Sequence, residues 1–177
     1  GRDYFIPNTQ EKLDPYSITE KDFLETVLSK PMPLDKAIYR SLTGFSSIMA
    51  NELIYRSSLS EKNLANELSD LEKLHLCRNF SEFIGSVSEK KFTPTMVWKN
   101  DSPIEFASVP LTIYENSPDC RTKTFGSISQ MLYEYYNTKE ILDRIRQKSA
   151  DLRRITQTVL ERSLKKYDLQ KKQLKDT

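Results

Sequence analysis

Apolar residues fall at Ile128, Met131, Leu132, Tyr135, Ile141, Leu142, Ile145, Leu152, Ile155 and Val159, in steps of three, four and seven. Such steps trace one face of a helix, and from Ile141 onward they approximate heptads. No Gly or Pro interrupts the chain between Ser127 and Thr177. Ser127-x-x-Gln130 has the form of a capping box, which satisfies the free donors of a first turn. The pattern predicts one long helix over 127–177, reaching roughly 75 Å if unbroken. Ile141, Ile145, Leu152, Ile155 and Val159 form its expected coiled-coil seam. Beyond Val159 the seam positions become Arg162, Lys166 and Gln173, with only Leu169 apolar. A helix that polar needs a partner or a nucleic acid to stay formed.

Upstream the periods are shorter. Residues 1–17 carry Tyr4, Phe5, Pro7, Pro15 and Tyr16 without a helical period, and read as an extended lead-in, because a residue before Pro is pushed out of the α region. Thr19 is placed to cap a short helix with Phe23, Leu24, Val27 and Leu28 on one face. Pro31-Met-Pro33 ends it, and Leu34 opens another that turns Ala37, Ile38 and Leu42 inward. That helix is expected to stop at Gly44, the residue suited to a left-handed position, and the next to start at Ser46 or Ser47. The outline is a helix-hairpin-helix, whose second helix offers backbone N–H groups to a phosphate. Such hairpins usually carry a second Gly two places on, where this chain has Ser46, so a hairpin that only packs is the competing reading. Ser60 is expected to cap a helix through Leu64, Leu68 and Leu71, with a further short helix through Phe80, Phe83, Ile84 and Val87. His75 falls between them, in the bundle or at its edge. Residues 18–90 thus predict a compact bundle of four or five short helices.

At Phe92 the period changes to two. Thr95–Trp98, Ile104–Val109 and Leu111–Tyr114 read as strands of a small antiparallel meander within 91–126, with Lys99-Asn-Asp-Ser-Pro103 as turn chemistry. Trp98 and Phe106 are assigned to its core, and Ser117-Pro-Asp-Cys-Arg to a loop. The fold class is mainly α with a small β-meander: a hairpin-like bundle, a short β segment and a long projecting helix.

Charge separates the parts. The whole chain is +2 at pH 7, but residues 139–177 hold twelve Lys/Arg against six Asp/Glu. The long helix is therefore a basic arm on a mildly acidic body, able to attract phosphates without regard to sequence. The candidate nucleic-acid contacts are Arg144, Arg146, Lys148, Arg153, Arg154, Arg162, Lys165 and Lys166 on the arm, with Gly44, Ser46 and Ser47 at the hairpin. A single His and four Gly remove most triads, His-based metal sites and phosphate-cradling loops. Cys77 and Cys120 suggest neither a disulfide framework nor a zinc site. No apolar run is long enough to cross a bilayer, and no signal-peptide core appears. No nucleophile has a base beside it, which argues against an enzyme such as a repair glycosylase. No metal, cofactor or membrane partner is expected, and a reduced cytoplasmic setting is. The start at Gly1 and the stop inside a charged helix suggest a fragment.

Leu42-Thr-Gly-Phe-Ser-Ser47 with Ala50-Asn-Glu-Leu-Ile-Tyr-Arg56 resembles the helix-hairpin-helix region of the NFACT family, the fibronectin-binding protein A-like proteins that include a bacterial ribosome quality-control factor. The resemblance continues at Phe92-Thr-Pro94. It is strongest at Phe125-Gly-Ser-Ile-Ser-Gln-Met-Leu-Tyr-Glu-Tyr-Tyr136, then Asp143-Arg-Ile-Arg-Gln-Lys148, Asp151-Leu152 and Glu161-Arg162 through Lys165-Lys166 to Gln170. Tyr4-x-x-Pro7 and Leu13-Asp14-Pro15 are similar to the family's exit from its amino-terminal domain. The resemblance implies the middle of a longer protein, with residues 127–177 the first arm of an antiparallel coiled coil whose return arm lies elsewhere. It also implies binding to the large ribosomal subunit (rRNA) and to tRNA in the rescue of stalled ribosomes, where nascent chains are extended with alanine. A second implied role is a fibronectin-binding adhesin module at the surface of a Gram-positive bacterium. Self-association through the unpaired helix belongs to the same expectation.

Overall fold

The computed structural model describes residues 12–173; Tyr4, Phe5 and Pro7 of the lead-in lie outside them. The chain divides into two compact units, residues 1–131 and 132–177.

In the first unit, Thr19 caps α1 (Glu20–Asp22) through a reciprocal box with Asp22. The helix then widens into a π-helical turn over Phe23–Val27. Pro33 precedes α2 (Leu34–Ser41), Ser46 caps α3 (Ser47–Arg56), and a 3-10 turn spans Ala65–Glu67. One continuous helix, α4, occupies Asp70–Ser88. Two short helices with a break at His75 are therefore not present: His75 is an exposed residue inside α4. The physical reason is the cap. Ser69 Oγ accepts from Glu72 N–H while Glu72 returns a carboxylate oxygen to Ser69 N–H at 2.8 Å, whereas Ser60 has no such acidic residue three places on. A start at Asp70 sets the helix phase, turning Leu76, Cys77 and Phe80 inward and leaving Leu71 exposed.

These helices close on one core. Phe23, Val27, Leu28, Leu34, Ala37, Ile38, Leu42, Ala50, Leu53, Ile54, Leu76 and Phe80 are all buried in it. Phe23 stacks on Phe80 with ring centroids 4.6 Å apart, so the π-helical turn and α4 meet face to face. Leu13 joins from the lead-in through a parallel bridge to Leu42.

The β segment is a three-stranded antiparallel sheet of β1 (Thr95–Lys99), β2 (Ser102–Ala107) and β3 (Cys120–Thr124), in the order β2-β1-β3. A meander in chain order is thus corrected: β1 is central, and the third strand is Cys120–Thr124, where a loop is expected from sequence. Thr112–Tyr114 is a 3-10 turn rather than a strand. The Thr112 and Ile113 N–H groups cannot join a ladder because a buried carboxylate takes them, as described below, and Tyr114 N–H donates to Leu111 O. Val97, Ala107, Val109 and Leu111 form the core under the sheet, against Ile48, Met49 and Phe83. Trp98 and Phe106 are half-buried rather than core; the Arg121 guanidinium lies 4.9 Å from the centre of the Trp98 ring.

The last helix, α5, runs unbroken over Ile128–Gln173, 46 residues, or about 69 Å. Its first turn is closed by Ser127 Oγ, which accepts from Gln130 N–H at 3.2 Å. Met131 is buried, at the end of the first unit. Within the second unit Tyr135 meets Tyr136 edge-on at 5.3 Å, and Lys139 Nζ lies 4.5 Å from the Tyr135 ring centre.

Candidate nucleic-acid interface

The hairpin residues lie together. α2 ends at Ser41, not Gly44, because Leu42 turns extended at φ −111°, ψ 132° and bridges to Leu13. Gly44 then adopts φ +78°, a left-handed conformation that only glycine takes without strain. Two residues later Ser46 is extended, and its Oγ accepts from Met49 N–H at 3.4 Å. Ser47 opens α3. The first-turn amides of Ser47 and Ile48 have no carbonyl four residues back to bond, as at any helix start.

On α5 all eight candidate cations are exposed, but they are not equivalent. Arg144 donates to Glu140 at 2.6 Å and Arg146 to Asp143 at 3.3 Å. Lys148, Arg153, Arg154, Arg162, Lys165 and Lys166 have no ion pair among the described residues. Each residue turns an α-helix by about 100°, so the eight do not share a face. Lys148, Arg162 and Lys166 continue the line of Ile141 and Ile155, whereas Arg153, Arg154 and Lys165 lie off it. Ile141, Ile145, Leu152, Ile155 and Val159 are 48–65 % exposed. Arg154, Ile155, Thr158, Val159 and Arg162 line one shallow groove.

Two features escaped the sequence reading. The apolar pattern does not simply fade after Val159: Leu160, Leu164 and Tyr167, all exposed, form a second stripe about 100° around the helix. The other is Glu52, which is fully buried. Its Oε1 accepts from Arg56 Nε at 2.6 Å, Thr112 N–H at 3.0 Å and Thr112 Oγ1 at 2.7 Å, and its Oε2 accepts from Ile113 N–H at 3.0 Å. Arg56 also donates to Pro110 O at 2.8 Å and lies over the Phe83 ring at 6.0 Å. The carboxylate thereby caps the 3-10 turn and ties the hairpin helix to the segment between β2 and β3. Glu52-x-x-x-Arg56 is the i,i+4 spacing of a helical ion pair, the only hint the sequence carried.

Among the described residues no cluster of His, Cys, Asp and Glu could hold a metal ion, and no helix is long and apolar enough to cross a membrane. Cys77 is buried, and its thiol is pushed up to about 11, first by desolvation and then by the charge of Glu20. It is therefore protonated at neutral pH.

Together these elements define a helical hairpin module with a small sheet and a long basic helix. The family model for the NFACT N-terminal and middle domains matches residues 1–177; the chain belongs to the NFACT family. It is similar to the Rqc2 homolog RqcH of Bacillus subtilis, 27 % identical over 154 residues, covering 87 % of this chain and 24 % of that protein. It is also similar to the Rqc2 homolog RqcH of Streptococcus suis, 27 % identical over 177 residues, covering 100 % of this chain and 27 % of that protein. The chain thus spans about a quarter of the length of these curated relatives. The crystal structure of a fibrinogen binding protein from Staphylococcus aureus matches with a TM-score of 0.57 at 23 % identity, over 77 % of this chain and 45 % of that one. This last likeness concerns the fold.

Proposed function

We propose that this chain is a non-catalytic RNA-binding part of a cytoplasmic NFACT-type ribosome quality-control protein, contacting the large ribosomal subunit and tRNA during the alanine tailing of stalled nascent chains. The observation that carries this reading is the set of six exposed cations without ion pairs on the uninterrupted α5. Cations free of acidic partners are available to phosphates, and their attraction is independent of sequence. Rigid spacing along one helix suits the shape-dominated recognition of folded RNA. The names of the curated relatives and the whole-chain family match favour the same setting. Arg153, Arg154 and Lys165 are the foremost contacts, because they lie off the apolar line that a partner helix would cover; Gly44, Ser46 and Ser47 give the hairpin a second approach to phosphate.

The test is co-sedimentation of the protein with separated ribosomal subunits at two salt concentrations. Retention on the large subunit that weakens with salt supports the reading, and no retention at either salt refutes it. Immobilised fibronectin serves as the comparison: binding there that is insensitive to salt, without ribosome retention, would favour the adhesin reading instead.

A further inference from the structure

A cleft of about 160 Å³ opens beside the hairpin turn, lined by Pro15, Tyr16, Gly44, Phe45, Met49 and Phe83 among others. Its size is close to the roughly 150 Å³ cavity that accepts a benzene ring, so it takes one ring or one side chain. The walls are aromatic and thioether: Phe45 and Phe83 have centroids 5.8 Å apart and are tilted by 56°. Tyr16 stands at the mouth, 60 % exposed. Its backbone is held there, because Tyr16 N–H donates to the Asp14 carboxylate at 3.0 Å and Thr43 N–H donates to Leu13 O at 2.9 Å. Ile84 and Val87 of α4, with the hydroxyl-bearing Thr43 and Ser108, complete the lining. A Cβ built on Gly44 would meet nothing within 4 Å, so that side of the turn is open to close approach.

We infer that this cleft receives one unpaired nucleobase of a bound RNA, stacked against Tyr16 and the Phe45–Phe83 pair. The inference rests on the RNA-binding reading above and adds a base-contacting site to it. Unpaired bases are recognised by stacking on aromatic side chains. The neighbouring α3 amides and the open Gly44 turn leave room for the sugar-phosphate chain on either side of the base, which an apolar protein side chain would not use. Phosphate contacts alone carry no base information; this cleft supplies some.

The experiment compares a short fluorescein-labelled single-stranded RNA with an abasic oligomer of the same length and charge, by fluorescence anisotropy. Stacking of one base corresponds to about 1–3 kcal/mol, so the wild-type protein should prefer the base-bearing strand by roughly fivefold or more. Tyr16→Ala removes the exposed ring, and Val87→Trp fills the cleft from its half-buried edge. Each should bring the ratio towards one and leave abasic affinity and its salt dependence unchanged. A wild-type ratio of one, or a ratio unmoved by both variants, overturns the inference while leaving RNA binding intact. A wild-type ratio of one together with saturable binding of N-acetylphenylalaninamide, lost in Val87→Trp, assigns the cleft to a protein side chain instead. Failure of both oligomers to bind also overturns the inference, while retention on the large subunit decides the RNA-binding reading separately.

Discussion

Glu52 offers the sharpest test of how the first unit is held together. Its carboxylate is fully buried and accepts four hydrogen bonds, three of them from Thr112 and Ile113. Its ionic partner Arg56 keeps 31 % of its side-chain surface exposed. Truncation by Glu52→Ala strands two backbone donors and a hydroxyl, and leaves a void. The exposed part of Arg56 lets the guanidinium turn to water, so little of the loss comes from a stranded cation. A buried donor left unsatisfied costs about 1–3 kcal/mol, so two stranded amides and a hydroxyl place this variant at roughly 3 kcal/mol or more. Glu52→Gln keeps an acceptor at Oε1 but sets an amide N–H₂ against Ile113 N–H. That loses one bond to a charged group, about 1.5–3 kcal/mol. Trp98 is the sole tryptophan and sits in the first unit, so its fluorescence during urea unfolding follows that unit without the signal of α5. With a urea slope of about 1–3 kcal/mol per molar, Glu52→Ala should lower the midpoint by roughly 1 M or more. A loss below about 1 kcal/mol would refute the claim that this carboxylate clamps the hairpin helix to the 110–113 segment.

The Ser69–Glu72 box gives a pH signature. Its hydrogen bonds from Ser69 hold the Glu72 carboxyl below the usual glutamate range, so its contribution is full above that range and is lost as pH falls from there through the lowered folded-state value; Ser69→Ala should abolish this part of the acid dependence of thermal unfolding. At Gly44 an added methyl meets open space, so Gly44→Ala should cost only the left-handed backbone strain, about 1–2 kcal/mol, measured by the same urea titration. The exposed stripe behaves oppositely. Ile145→Asp with Ile155→Asp should leave folding stability within about 0.5 kcal/mol yet remove concentration-dependent association in sedimentation velocity, and association that persists would acquit the stripe.

The long helix was legible because nothing in 127–177 competes with it: no breaker, a capping Ser127 and a sustained period. The α2–α3 hairpin was legible for a related reason, since Pro33, Gly44 and Ser46 are local punctuation. α4 was misread where two serines offered caps and only Ser69 had an acidic residue three places on. The third strand was misplaced because Cys120–Thr124 is an edge strand with mostly exposed side chains, so no apolar alternation marks it. Leu111–Tyr114 had the β-branched and aromatic composition of a strand, but a carboxylate about 60 residues away in the chain took the Thr112 and Ile113 amides. That is tertiary information, and no local pattern holds it. For the same reason the cleft beside Gly44 was invisible: Tyr16, Phe45 and Phe83 are brought together only by the folded bundle.

Phosphate binding by the arm is the central claim. The direct measurement is the salt dependence of large-subunit or RNA affinity for the wild-type protein and for the variant with Arg153, Arg154, Lys165 and Lys166 changed to Glu. Each lost phosphate contact flattens the plot of log K against log salt by about 0.7–0.9. The variant should therefore bind more weakly, with a slope shallower by about three and unfolding unchanged, because exposed charges contribute little to stability. An affinity and slope identical to wild type would contradict the account and leave α5 a spacer.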